Sequence, residues 1–370
     1  MGGNAIKKDG VSICGRLPKD QYEMIKKMVI DTLSSLNIVC ETVLELPGKE
    51  SFGDIDILYI SNPAVNMTNV IKDKFKVIDP KHIVTNGYVT SFAYEYSEEK
   101  YFQIDLLKLK SMEHLETSRF YFSYSDIGSI LGRILNHYGL KLGDAGLWCD
   151  VYSPCETLDI RNTMGKIHLT SNPREICRYI GIDYGFWETE ISKLRQGEFE
   201  PIFAWIASCS MFKTDIFKRL NTDHRARQEV RPFYKKFLEF IGITHVETCE
   251  AMSGESSYGA IEKQIDAITY FNKKEELDQL IAESRLRELR RSKFTGSDLI
   301  GYYKNHKIDI EGIQVGDKIS KLKKYCIESI GCRTWEEFID SHDRDSVQTI
   351  VHNFVGLDTS CKTQAFALGR

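Results

Sequence analysis

Asp54 and Asp56 stand two residues apart in the run Gly53-Asp54-Ile55-Asp56-Ile57-Leu58-Tyr59-Ile60, which is short and rich in strand-forming residues. Residues two apart in a strand face the same way, so both carboxylates point to one side while Ile55 and Ile57 enter a core behind them. A second run, Tyr101-Phe102-Gln103-Ile104-Asp105-Leu106-Leu107, carries one acid among apolar residues, and pairing beside the first brings Asp105 into the group. Three converging carboxylates repel one another unless cations lie between them. Hard oxygen donors suit Mg²⁺, with Mn²⁺ as a substitute. Two such ions, about 3.5 to 4 Å apart, activate an attacking hydroxyl and stabilise a leaving pyrophosphate at once. Asp54, Asp56 and Asp105 are therefore candidate catalytic and metal-binding residues. By itself an Asp-x-Asp pair is common, and a turn residue plus a solvent-facing strand acid accounts for it equally well.

The elements that must position these acids are legible around them. Asp20 precedes a helix expected over about 21 to 36, where Tyr22, Ile25, Met28, Val29, Leu33 and Leu36 recur at helical spacing. Pro47, Gly48 and Gly53 turn the chain into the first acid strand. Residues 88 to 96 and 101 to 109 alternate around Ser97-Glu98-Glu99-Lys100 and read as a hairpin. Ser125 is the expected N-cap of a helix through Ile127, Ile130, Leu131, Ile134 and Leu135 that stops at Gly139. From Asn172 the pattern turns mostly helical, with Pro173-Arg174-Glu175 opening one helix and further apolar-periodic stretches near 199 to 220, 229 to 241, 260 to 292 and 315 to 330. The expected fold class is α+β, a mixed sheet followed by a mainly helical C-terminal domain.

Composition bounds the rest. The 370 residues, 42% hydrophobic and 28% charged, suffice for a sizeable core in two or three domains. A formal net charge of -4 excludes a uniformly cationic surface, so nucleic-acid contact would need local basic patches. Ten cysteines without a CxxC pair argue against a zinc ribbon or a disulfide scaffold. No apolar run fits a signal peptide or a membrane span, and Ile6 stands where myristoylation favours Ser or Thr. A reduced cytoplasmic setting, or a nuclear one in a eukaryote, is expected, with no secretion and no membrane partner.

The string Gly48-Lys49-Glu50-Ser51-Phe52-Gly53-Asp54-Ile55-Asp56-Ile57-Leu58 resembles the palm motif of the polymerase β-like nucleotidyltransferase superfamily, closest to the family X DNA polymerases. Three more stretches are similar in the same order: Phe102-Gln103-Ile104-Asp105-Leu106 to the third-aspartate strand, Phe120-Tyr121-Phe122-Ser123-Tyr124-Ser125-Asp126-Ile127 to the start of the nucleotide-binding subdomain, and the segment from Leu169 to Ile182 to the closing helix and turn. Together they cover about residues 40 to 190. The resemblance implies a palm over 1–115, a nucleotide-binding subdomain over 116–195 and a helical domain over 196–370. It also implies two Mg²⁺ ions on Asp54, Asp56 and Asp105, with Asp105 the general base or the group that positions the primer hydroxyl for proton loss. Lys49, Ser51 and Gly53 would approach the triphosphate; Tyr121, Phe122, Tyr124 and Ser125 would lie by the sugar and base; Arg133 would reach the nascent pair or template.

The chain departs from that pattern at Val43 and Leu44, which replace a Gly-Ser pair, at Pro47, which replaces an arginine, and at Tyr124, which replaces a small glycine. Triphosphate grip must therefore be partly rebuilt elsewhere. A cluster of Lys213, Lys218, Arg219, Arg225, Arg227, Arg231, Lys235 and Lys236 with Phe212, Phe217, Phe233 and Tyr234 suits phosphate contact and base stacking, and Arg285, Arg287, Arg290, Arg291 and Lys293 form a second basic group. A solvated amphipathic helix explains either group as well. The leading expectation is transfer of nucleoside monophosphates from (d)NTPs to a DNA or RNA 3′-hydroxyl, templated or tailing, with release of pyrophosphate. The alternatives are a protein, small-molecule or nucleotide acceptor, and a catalytically silent nucleic-acid-binding scaffold.

Overall fold

Apolar periodicity places Tyr22, Ile25, Val29 and Leu33 on one buried stripe of helix α1 (Lys19–Ser35), whose N-cap position is Pro18 rather than Asp20. The computed structural model describes residues 3–77, 79–152, 163–220, 229–248, 257–306, 308, 310 and 313–367. It divides into two units, Met1–Lys274 and Glu275–Arg370, so the boundary read at 195/196 falls inside the first.

The centre of the first unit is a five-stranded mixed sheet built from β1 (Val39–Thr42), β2 (Asp54–Ile60), β3 (Ile83–Asn86), β4 (Val89–Ser97) and β5 (Lys100–Lys108), in spatial order β1-β2-β5-β4-β3. Its one parallel pair is β2 with β5; β1–β2, β5–β4 and β4–β3 are antiparallel. The predicted hairpin is β4–β5. One face presents Ile55, Ile57, Tyr59, Phe92, Phe102, Ile104 and Leu106 to α1 and to α2 (Met67–Lys74), and these side chains form one core. On the other face Leu58 and Leu107 pack with Val43, Leu109 and Leu115. That second cluster seats α3 (Leu115–Phe122) beside the far end of the acid strands.

Helix α4 (Ile127–Asn136) follows, and then an antiparallel sheet of β6 (Leu140–Gly143), β7 (Gly146–Tyr152) and β8 (Thr163–Thr170). Asp126, not Ser125, occupies the N-cap position of α4, and it makes no side-chain cap. Ser125 is in the left-handed region at φ 66°, its hydroxyl turned to Asp126. Helix α5 (Pro173–Ile180) starts at Asn172, whose side chain accepts from the Arg174 N–H, and stops at left-handed Gly181.

The stretch 199 to 220 is not one helix: α6 (Glu200–Ala207) ends early, and a 3₁₀ turn Thr214–Phe217 and a short strand Arg219–Leu220 follow. Helix α7 (Pro232–Phe240) lies next. The stretch 260 to 292 divides into α8 (Ser257–Tyr270) and α9 (Lys274–Lys293), because Asn272 adopts a left-handed φ of 54°. The second unit continues with α10 (Gly296–Asn305), α11 (Ile313–Ile330), α12 (Trp335–Ser341) and α13 (Arg344–Ala367). Its own core joins Leu299, Tyr303, Leu322, Cys326, Phe338, Val347, Val351 and Val355. No helix among the described residues is long and apolar enough to cross a membrane.

Candidate active site

The β2–β5 register sets Asp56 directly against Asp105, and Asp54 against Gln103. Parallel strands lie about 4.8 Å apart and partners in register face the same side. Asp54, Asp56 and Asp105 therefore share one face, with Gln103 completing a square and Ser91 of β4 opposite Asp105 on the other flank. Ile55, Ile57 and Ile104, the alternating neighbours, are fully buried behind them.

Burial and mutual repulsion both favour protons on these acids. Burial is the largest cause at each. Asp56 is held well above the ordinary carboxylate range, with Asp54, Asp105 and Glu45 adding to the effect of burial. Asp105 is pushed up to about 6 by burial and by Asp54, against hydrogen bonds from Ser91 and Gln103 that hold its charge. Asp54 is raised by burial and Glu45, while Lys49 and the Gly3 N–H oppose the rise. Lys49 also offsets the charge at Asp56, but it is itself paired with Glu45 at 2.5 Å and lies over the Phe52 ring.

Hard oxygen donors with more negative charge than the neighbouring lysine neutralises are what a divalent cation such as Mg²⁺ takes. Among the described residues, no three acidic, cysteine or histidine side chains already stand in metal-coordinating geometry. Both Asp105 oxygens accept from Gln103 Nε2 at 2.9 Å. An ionised carboxylate keeps further lone pairs beyond those bonds, and the register sets the three acids on one face of neighbouring strands. The donor set fits such an ion in charge and type.

The loop ahead of β2 is anchored from three sides. Leu44 accepts from the Tyr124 N–H at 2.7 Å and donates its own N–H to Ser123 Oγ at 2.8 Å, tying the loop to the end of α3. Gly48 (φ 69°) presses on Gln196, whose Cβ stands 2.3 Å from where a Gly48 Cβ would lie. Ser51 is gripped by Arg16, Nε to its hydroxyl at 3.1 Å and Nη2 to its carbonyl at 2.6 Å. The structure thus brings Lys49, Ser51 and Gly53 to the same neighbourhood as the acids.

Other predicted residues are placed differently. Tyr121 and Phe122 are half-buried at the end of α3, their rings edge to face at 5.2 Å. Tyr124 is 2% exposed with a left-handed φ of 56° and packs edge-on against Trp187. Its ring fills the core, which corrects the expectation that it lines a nucleotide pocket. Arg133 is also buried, and its Nη2 donates to the carbonyls of Ile216 and Arg219 at 2.9 and 2.6 Å, so it is a brace between segments rather than a template contact. Arg231 is paired with the buried Asp126 at 2.6 Å.

Arg225 and Arg227 lie outside the described residues. Lys235 and Lys236 are exposed on α7, but Phe217, Phe233 and Tyr234 face inward and are buried, which corrects the base-stacking expectation for those rings. In the second group Arg290 forms a two-pronged pair with Asp340, and Lys293 donates to the Ile339 carbonyl. Arg285 and Arg291 are exposed.

Gln103, Ser91, Glu45 and Arg16 escaped the sequence reading. Gln103 stands two residues before Asp105, and strand periodicity alone puts it on the same face; the roles of the other three depend on pairing across the sheet and loop. No family model matches the chain, and no curated protein matches it.

Proposed function

We propose that this chain is a metal-dependent nucleotidyltransferase of the polymerase β-like kind, with the five-stranded sheet as its palm. Asp54, Asp56 and Asp105 hold two divalent cations, Mg²⁺ or Mn²⁺, and a nucleoside monophosphate passes from a triphosphate to the 3′-hydroxyl of DNA or RNA. The observation that carries this reading is the parallel register of Asp56 with Asp105, two residues beyond Asp54 on the same face. Bound cations would supply Lewis-acid stabilisation of the attacking and leaving oxygens. Asp105 would take the acceptor hydroxyl's proton as general base, or position that hydroxyl for proton loss. The acceptor oxygen forms a bond to the α-phosphorus as the bond to the β-phosphate oxygen breaks, and pyrophosphate leaves. Lys49 and Arg16 flank the loop that would receive the triphosphate, and Arg16 supplies a cation where the family's loop arginine is absent.

A second acceptor class, a protein, small molecule or nucleotide, is favoured by one observation: Arg133 and the Phe217, Phe233 and Tyr234 rings of the basic cluster are buried, which removes part of the support for a long polymer. One assay separates the two. The protein is incubated with Mg²⁺ or Mn²⁺, each labelled nucleoside triphosphate, and single-stranded or primed DNA and RNA. Ladders on one polymer are expected, reduced about a thousandfold in Asp105→Ala, since metal-assisted charge stabilisation is worth several kcal/mol. Label on protein or small products alone would replace the polymer acceptor with the second class. Undiminished transfer by Asp105→Ala would end the metal-dependent reading altogether.

A further inference from the structure

The segment 3–15 lies against the acid strands, and two of its contacts land on residues beside an acid. Gly3 is buried at φ 86°, and a Cβ on it would stand 2.5 Å from the Gly53 carbonyl oxygen, so the chain touches the backbone immediately ahead of Asp54. Two residues on, the Ala5 N–H donates to Gln103 Oε1 at 2.8 Å. That bond fixes which way the Gln103 amide faces, because its oxygen is taken and its nitrogen must point the other way, toward Asp105. The segment is itself held down: Ile6 is fully buried, Ser12 Oγ donates to the Gly3 carbonyl at 2.6 Å, and Gly15 N–H joins the Tyr101 carbonyl of β5 at 2.8 Å.

We propose that residues 3–6 belong to the active site as a positioning segment, and that Gln103 is its transmitting residue: together they tie the Asp54 strand to the Asp105 strand and fix the carboxylates that must share a divalent cation. This rests on the metal-dependent reading above. The physical need is plain, since three like charges on neighbouring strands push apart, and a segment that donates to Asp54 directly and holds the Gln103 amide that donates to Asp105 opposes that motion. The Gly3 N–H, which helps hold the charge of Asp54, acts in the same sense. Outer partners that orient metal-binding carboxylates typically govern ten- to a hundredfold in metal affinity or activity.

The test uses the full chain with Mn²⁺ as the probe, followed by calorimetric titration alongside thermal melting, and nucleotide transfer as a second readout. Gln103→Leu keeps the side-chain volume and removes the hydrogen bonds to Ala5 and to both Asp105 oxygens; it is expected to weaken Mn²⁺ binding about tenfold or more and to lower kcat by a similar factor, with KM for the nucleotide and the melting temperature nearly unchanged. Gly3→Val, which drives a side chain into the Gly53 carbonyl, is expected to act in the same direction. Normal Mn²⁺ affinity in a Gln103→Leu protein that melts normally overturns the proposal. So does higher activity in Gly3→Val, which would make the segment an obstructing strap. Wild-type protein that binds Mn²⁺ through Asp56, shown by loss in Asp56→Asn, yet transfers no nucleotide would sink the proposed reaction and leave the positioning role standing. Absence of Mn²⁺ binding by the wild type would sink the positioning role.

Discussion

Asp105 links the site to the stability of the whole chain. Its proton affinity rises from the ordinary 3.8 to about 6 on folding, burial being the first cause. A raised folded-state value means that folding favours the protonated form. The contribution is full below 3.8 and is lost as pH rises through about 6, amounting to at most about 3 kcal/mol for a shift of about two units. Asp56, also raised, acts in the same direction. The melting temperature is therefore expected to fall between pH 4 and pH 7, less steeply in Asp105→Asn, and millimolar Mg²⁺ is expected to restore it at pH 7.5 but not at pH 4.5. Scanning fluorimetry across that range checks it, and identical pH profiles for wild type and Asp105→Asn would disprove the coupling.

At the level of elements, the junction of α3 with α4 fixes where Tyr121 and Phe122 sit. A Cβ on Gly128 would lie 2.1 Å from the Tyr121 carbonyl oxygen, a backbone atom that cannot swing aside. Gly128→Ala is expected to cost about 3 kcal/mol, the upper end for overpacking, because two helices must separate. One turn along, Gly132 has its nearest neighbour, the Leu142 carbonyl oxygen, at an ordinary 3.6 Å. Gly132→Ala should stabilise by up to about 1 kcal/mol through helix propensity. Urea midpoints of the two variants, moving in opposite directions, give the check. Equal midpoints would show that the close contact relaxes without cost.

For the whole molecule, a second unit with a core of its own predicts two separate unfolding events. The second unit closes Leu299, Tyr303, Leu322 and Phe338 around its own centre, and units with independent cores need not unfold together. Its buried Lys318 is paired with Asp358, which also accepts from the Tyr303 hydroxyl at 2.6 Å. Denaturant unfolding followed by circular dichroism is expected to resolve two transitions. Phe338→Ala, a fully buried ring, should shift only one of them, by about 3 to 5 kcal/mol. A single shared transition, moved as a whole by that change, would show the units to be one cooperative body.

Period and punctuation sufficed for much of this. Alternation set Asp54 and Asp56 on one face and Ile55 and Ile57 on the other, helical spacing marked the buried stripe of α1, and the break at Ser97 to Lys100 marked the β4–β5 hairpin. These are local properties, fixed by backbone geometry within a few residues. Long-range pairing decided the rest. The register that sets Asp56 against Asp105, the spending of Arg133 on two carbonyls, the inward turn of Tyr124 and the reach of residues 3–6 to Gln103 all join segments tens of residues apart. Such contacts are chosen by burial and by hydrogen-bond satisfaction over the folded chain as a whole, so the same arginine or tyrosine reads as a binding residue in one dimension and becomes a brace or a core ring in three.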